Sequence, residues 1–350
     1  MSDARQHPHT VYLIRHGETV DNVAGVYAGI TDSALTIHGV LQGEKLGQYF
    51  ARQDVVFTHF YSSDLSRANK TAENIRKYQA TGDDAPAVVV CPDLREQDFG
   101  FYEKKAFYAR SPDSKKTGKD LHRAEHQNEE GFKDVETKES MAKRADSYLD
   151  EHLMAVLKNA PPDHQYVICI VSHGIMLSSL WKAILRRQRA NTVTLDNEVL
   201  VAGKPLALEH LGGFSNTGYL HLEFRRVEAG TVVAPSSAET HLARADEQPD
   251  AQSNSTCKPL NPTDVLTKDA SPDVQTVLSE AETALATKDN GPAQSTPVRE
   301  HIDFNIIVKM INGKDHVKGL KRTGGGVGRS KFDEGQKSID NFFKKRRTEP

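Results

Sequence analysis

The chain has 350 residues, of which 37% are hydrophobic, 7% aromatic and 27% charged, with a formal net charge of −3 and a mean hydropathy of −0.57. No apolar run approaches the ~18–20 residues that span a bilayer, the polar opening MSDARQHPHT has no apolar stretch of a secretory leader, and Cys91, Cys169 and Cys257 are too few and too scattered for a disulfide framework or a zinc site. Membrane insertion and secretion are therefore not expected, and a net charge near zero gives no case for nucleic acid as the primary partner.

The first 235 residues alternate two periodicities. Apolar spacing predicts a strand at 10–14, a helix at 36–52, a strand at 55–61, a helix at 64–78 and a strand at 87–90. A helix at 138–158, a strand at 166–171, a helix at 175–187 and a strand at 218–224 follow. Near-continuous apolar strands such as YVICIV suit a sheet covered on both faces. Strands alternating with helices imply an α/β fold, a three-layer α/β/α sandwich with a mostly parallel sheet. Residues 236–300 then carry eleven acidic side chains against five basic ones, a net −6, and no Phe, Tyr or Trp. So little apolar surface cannot offset the entropy of ordering a chain, and an acidic disordered linker is expected there. Residues 301–350 form a basic tail of net +6. Within it Ile302, Phe304, Ile306 and Val308 alternate as in a strand, which could pair with the catalytic sheet or with another chain.

Parallel sheets bind ligands beyond the carboxyl ends of their strands, and the chemistry of this chain collects there. The first strand runs into Arg15-His16-Gly17-Glu18-Thr19, with Asn22 close behind, and the fourth runs into Ser172-His173-Gly174. Each glycine lets backbone approach a ligand, and each turn offers free N–H groups that favour anions. The segment Ser63-Asp64-Leu65-Ser66-Arg67 opens a helix after the second strand, Asp64 as its expected cap, and Leu94-Arg95-Glu96 follows the third. Phosphoryl transfer needs this set: Arg forks for a phosphate dianion, an unprotonated imidazole nitrogen as nucleophile, and a carboxyl group that protonates the leaving alkoxide. No metal and no cofactor is demanded, because Arg and a cationic His can neutralise the transition state.

The blocks RHGETVDN, LTIHGVLQG, SSDLSRANKTA, LREQDFG and VSHG, in that order over roughly 10–225, resemble the histidine phosphatase (phosphoglycerate mutase-like) superfamily. The resemblance implies a phosphoglycerate mutase-like fold over 1–235 and a phosphatase. It implies His16 as phosphate-accepting nucleophile, Arg15, Arg67 and His173 as the phosphate pocket, Glu96 as general acid with Asp98 as runner-up, and Asn22 and the Gly174 amide lining the pocket. Where that family commonly continues with a Trp/Tyr-Glu-Gly step, this chain reads Phe101-Tyr102-Glu103-Lys104-Lys105, followed by a charged stretch to about 138 that would sit over the pocket. A second, basic insertion, ILRRQRANTV, follows the helix after His173. Both features favour a phosphatase over a metabolic phosphoglycerate mutase or sugar-bisphosphatase. A phospho-ligand-binding scaffold with little turnover is the other alternative, disfavoured because a domain kept for binding need not keep nucleophile and acid.

Near the C-terminus, Gln336, Ile339, Phe342 and Phe343 follow the pattern Gln-x-x-aliphatic-x-x-aromatic-aromatic, which looks like a PIP box, the peptide that docks on the sliding clamp PCNA. In one helical turn Ile339, Phe342 and Phe343 share a side, and Gln336 offers an amide to the partner. Burial of three such side chains gains roughly 1.5–3 kcal/mol each, partly offset by ordering the tail. The run Lys344-Lys345-Arg346-Arg347 then suggests a nuclear localisation signal, so PCNA as partner and the nucleus as location are expected.

Overall fold

The structure, a computed structural model, describes residues 7–79, 85–106, 123–161, 163–200, 207–227, 302–321 and 328–332. Residues 236–300, the clamp-like motif at 336–343 and the basic run at 344–347 lie outside the described residues.

Seven strands form one sheet: β1 (His9–Arg15), β2 (His59–Ser62), β3 (Val88–Val90), β4 (Val167–Ser172), β5 (Val193–Leu195), β6 (Tyr219–Arg226) and β7 (Phe304–Gly313), in the order β3-β2-β4-β1-β6-β7-β5. All pairings are parallel except those of β6, which runs against both β1 and β7. The period-2 alternation of β1 splits its side chains between two cores. Val11 and Leu13 join Ile168, Ile170, Leu220 and Leu222 on one face. Tyr12 and Ile14 join Cys169, Val171, Phe50, Phe57 and Phe60 on the other. The sheet is accompanied by helices α1 (Val20–Ala24), α2 (Ile37–Arg52), α3 (Ser66–Arg76), α4 (Lys138–Tyr148), α5 (Met154–Asn159), α6 (Gly174–Arg186) and α7 (Asn197–Leu200). α2 and α3 pack against the second core, and α4, α5 and α6 against the first. This is the expected mostly parallel α/β/α sandwich. No helix among the described residues is long and apolar enough to cross a membrane.

Local rules explain the helices. Thr36 caps α2 by accepting from the Gly39 N–H at 2.9 Å, and Val40, Gly43, Leu46, Gly47 and Phe50 form its buried stripe. α6 buries Met176, Leu177, Leu180, Trp181 and Ile184 at the same spacing. The predicted helix 138–158 is interrupted by a π-helical turn at Leu149–Leu153. Arg187 grips Asp146 and Asp150, four residues apart, beside that turn. The second strand starts at His59 rather than 55, because Asp54 turns the chain at φ 53° and Phe57 donates its N–H to Gln79 Oε1 at 2.8 Å.

The expected division at 235 and 300 needs correction. The alternating residues after 301 form β7, which inserts between β6 and β5 with Phe224 opposite Ile306 and Val193 opposite Ile306 on the other side. Ile302, Phe304, Ile306 and Val308 are buried in the same core as β1. The basic insertion after α6 receives this strand: Ile302 N–H donates to Arg187 O at 3.0 Å, Arg189 pairs with Asp303, and Asp196 with Lys309. Further on, His316 packs on Tyr49 and Tyr219, and residues 330–332 hydrogen-bond to Leu35 and Ile37. Residues 302–321 and 328–332 thus belong to the catalytic sheet and its neighbours, not to a tail.

Candidate active site

The carboxyl ends of β1, β2, β3 and β4 meet at one edge, and the strand-end residues gather there. Arg15 is in register with Ser172, and the His16 N–H donates to Ser172 O at 3.0 Å. The His16 and His173 rings stand 5.0 Å apart. Gly17 permits the turn: a Cβ on it would lie 2.4 Å from Gly39 O, so β1 and the start of α2 approach more closely than any side chain allows.

Hydrogen bonds fix both imidazoles. His16 Nδ1 lies 2.7 Å from Gly17 O. A carbonyl oxygen only accepts, so Nδ1 carries the proton and Nε2 keeps its lone pair. Arg67 Nε lies 3.2 Å from His173 Nδ1. A guanidinium only donates, so His173 carries its proton on Nε2. That Nε2–H and the Nε–H of Arg15 are buried donors with no partner among the described residues. Buried donors are normally satisfied, and two such donors beside a bare imidazole nitrogen mark an anion site.

Burial pushes both imidazoles well below the ordinary range, and the Arg67 and Arg15 guanidinium groups push them further. Both rings are therefore neutral near pH 7. Arg15 itself is driven down to about 10 by burial, against the attraction of Glu96 and with the repulsion of Arg67. It donates through Nη1 to Phe214 O at 2.7 Å.

Glu96 sits over the N-terminus of α6. Its Oε1 accepts from Met176 N–H and Gln97 N–H, each at 3.0 Å, and its Oε2 from Ile175 N–H at 3.2 Å. It thereby caps a helix whose own N-cap, His173, supplies no side-chain bond. The charged side chains flanking it pair elsewhere: Arg95 with Asp64, and Asp98 with Lys133. The expected cap role of Asp64 is thus overturned by its pairing with Arg95, and Asp32 instead accepts from the Ser66 N–H at 3.1 Å. Asp98 also accepts from Gly100 N–H at 2.7 Å, a turn contact that leaves it no place among the strand-end residues.

Arg67, expected to hold phosphate, spends its fork largely on the protein. Besides His173, its Nη1 donates to Thr31 O at 3.1 Å and its Nη2 to Ala28 O and Gly29 O at 3.2 and 2.6 Å. Its charge faces the site while its hydrogen bonds orient His173. Asn22 is drawn in by a residue that sequence reasoning missed. Asn216 Nδ2 lies 3.2 Å from both Asn22 Oδ1 and His16 O. The overlooked signal is the antiparallel sense of β6, whose beginning lies beside the end of β1. Gly174 backs onto Arg15, with 3.9 Å from its would-be Cβ to Arg15 Nε. At the family's glycine step, Lys104 adopts φ 64°. That left-handed conformation costs a side-chain-bearing residue roughly 1–2 kcal/mol, offset here by an ion pair with Asp21.

Comparison with known proteins bears on this geometry. The family model described as histidine phosphatase superfamily, branch 1, matches residues 11–200, and β6 and β7 lie beyond it. A probable phosphoglycerate mutase, GpmB, from Erwinia tasmaniensis is 35% identical over 175 residues, 50% of this chain and 74% of that protein. A probable phosphatase from Schizosaccharomyces pombe is 32% identical over 192 residues, and the match spans 51% of this chain and only 58% of that protein. Among solved structures, a mycobacterial glucosyl-3-phosphoglycerate phosphatase aligns with a TM-score of 0.43 at 19% identity, covering 63% of this chain and 92% of that one. From a family match over more than half its length, the chain belongs to the histidine phosphatase superfamily, branch 1.

Proposed function

We propose that the protein is a phosphomonoesterase that works through a phosphohistidine at His16 and needs no metal for its charge balance. The observation that carries this reading is the Gly17 carbonyl bond to His16 Nδ1, which leaves Nε2 as the only nitrogen with a free lone pair. In the first step Nε2 attacks phosphorus and the bond to the leaving oxygen breaks. The Glu96 carboxyl group delivers a proton to that oxygen. In the second step water attacks the phosphohistidine, Glu96 takes its proton, and the P–Nε2 bond breaks to release inorganic phosphate and neutral His16. The Nε2–H of His173, the Nε–H of Arg15 and the Arg67 charge stabilise the phosphoryl oxygens throughout. The relatives' names divide between mutase and phosphatase; the charged segment after Lys104 and the basic insertion after α6 support hydrolysis here. Brief exposure to an aryl phosphate followed by denaturation should trap an acid-labile adduct on Nε2 of His16, and His16→Ala should abolish turnover. An adduct on Nδ1, or an active His16→Ala variant, would overturn the mechanism. Partition of the adduct between water and added 3-phosphoglycerate measures any mutase component.

The sequence at 336–343 supports recruitment to PCNA, and the basic run after it supports nuclear residence. Both rest on sequence, since those residues lie outside the described ones. The chain's last described contact adds one point: Phe332 N–H donates to Leu35 O at 3.0 Å, so Gln336 follows four residues after a segment held to the catalytic domain. A peptide spanning 331–347 is expected to bind PCNA with micromolar affinity, and a flat titration would remove this reading. A fluorescent fusion excluded from nuclei would remove the localisation.

A further inference from the structure

Glu103 lies in none of the strand-end turns, yet its carboxylate accepts four backbone N–H groups. Oε2 accepts from Gly29 and Thr31 at 3.1 and 3.2 Å, and Oε1 from Ile30 and Phe99 at 3.2 and 2.9 Å. The other side of the same backbone faces Arg67. The peptide joining Ala28 to Gly29 gives its N–H to Glu103 and its carbonyl to Arg67 Nη2, and the next peptide, Gly29 to Ile30, does the same. A trans peptide is planar with N–H and C=O pointing oppositely, so a carboxylate that fixes the N–H groups also aims the carbonyls. Those carbonyls hold the Arg67 fork, whose Nε–H in turn fixes the His173 tautomer.

Two further observations join this chain of contacts. Residues 26–28 and 104–105 are stitched together, with Lys104 N–H on Tyr27 O at 2.8 Å and Tyr27 N–H on Lys105 O at 2.9 Å. A Cβ on Gly29 would lie 2.1 Å from Gln97 O and 2.3 Å from Glu103 Oε1. The sandwich of carboxylate, peptide and guanidinium therefore closes only around glycine.

We propose that Glu103 is a positioning residue of the phosphoryl-transfer step, setting the direction of the His173 Nε2–H through the 28–30 peptides and Arg67. The proposal rests on the phosphohistidine reading above. It extends to the segment that the charged insertion follows: any ligand that shifts residues 101–105 would be felt at His173 without touching it.

The test uses the full-length chain with an aryl phosphate. Glu103→Ala is expected to lower kcat by ~10–100-fold with a smaller change in KM, the size of a misaligned donor, and Glu103→Asp, one methylene shorter, to lose less. In an Arg67→Ala background, where the relay is already cut, Glu103→Ala should change kcat by no more than about twofold, the scatter of independent effects. Nitrogen-15 spectra of histidine-labelled protein should show His173 as the Nε2–H tautomer in the wild type and a mixture in Glu103→Ala. Wild-type kcat and tautomer in a folded Glu103→Ala variant would overturn the proposal, as would fully multiplicative losses in the double variant. If the alanine variant does not fold, Glu103→Asp carries the same two readouts, and an unchanged tautomer with unchanged kcat overturns the proposal. A wild type that forms no His16 adduct would instead refute the underlying reaction, so the two failures are distinguishable.

Discussion

Glu96 is asked to do two things, and the structure gives the size of each. As a cap it accepts three backbone N–H groups at the start of α6. Removing a capping side chain costs ~0.5–2 kcal/mol, and an N–H left buried without a partner costs ~1–3 kcal/mol. Glu96→Ala should therefore destabilise by about 2–4 kcal/mol. Glu96→Gln keeps one acceptor oxygen and loses the charge, which at a partly buried helix terminus is worth ~0.3–2 kcal/mol. As the proposed general acid the same carboxyl would contribute ~10²–10⁴-fold to the rate. Glu96→Gln should then lower kcat on an alkyl phosphate by that factor, while Tm falls only a few degrees, at roughly 2–4 °C per kcal/mol. On an aryl phosphate, whose phenolate leaves without a proton, the first step should lose much less. Phosphoenzyme formation by rapid quench, measured on both substrates beside thermal unfolding, separates the roles. Equal losses on the two substrates, or a loss that merely tracks the unfolded fraction, would refute the acid assignment and leave Glu96 a cap.

Three other expectations follow from particular contacts. A fragment ending at residue 235 loses the buried Ile302, Phe304, Ile306 and Val308, about 6–12 kcal/mol of burial at ~1.5–3 kcal/mol each, an upper bound that rivals the ~5–15 kcal/mol stability of a whole domain. Near-UV circular dichroism should show it unfolded where a 1–332 fragment is not. Burial holds His316 and His221 down at about 4 in the fold, against an unfolded value of ~6.5. The unfolded chain thus binds protons first as pH falls, and stability is highest above ~6.5 and lost toward 4, at up to ~1.4 kcal/mol per pH unit for each ring; denaturant midpoints against pH, with His316→Gln giving a shallower slope, check this. Gly17→Ala places a Cβ 2.4 Å from Gly39 O and should cost ~1–3 kcal/mol of overpacking and displace the carbonyl that holds His16, so both Tm and turnover should fall.

Much of the site was legible because its residues lie in short strand-to-helix turns, where residue type and local position act together. Arg15-His16-Gly17 and His173-Gly174 converge because the parallel pairing of β1 with β4 brings their ends into register. What was not legible depended on direction or on distance along the chain. Arg67 lies beside His173, but nothing in its flanking residues says that its fork turns inward to the carbonyls of Ala28, Gly29 and Thr31. Asp64 and Asp32 are equally good caps by type, and the nearby Arg95 decides between them. Glu103 acts on backbone groups, which every residue carries, and Asn216 on the His16 carbonyl and on Asn22, 194 positions away, so these pairings leave no mark in the sequence. The alternation at 302–308 announces a strand, but period 2 identifies a face and not a neighbour, and β5, three residues long, offers too short a pattern to see.

The insertion of β7 beside β6 also sets an order in time. Ile306 pairs with Phe224 but is made 82 positions later, which at ~5–20 residues per second of synthesis is a delay of about 4–16 s. For that interval β6 stands at an open edge, and an unpaired edge is a template for foreign strands. A ribosome stalled between 228 and 301 would release a chain with that edge bare and its family signature complete. The cell would then hold a protein that carries every strand-end residue of the site and is fit for degradation rather than catalysis.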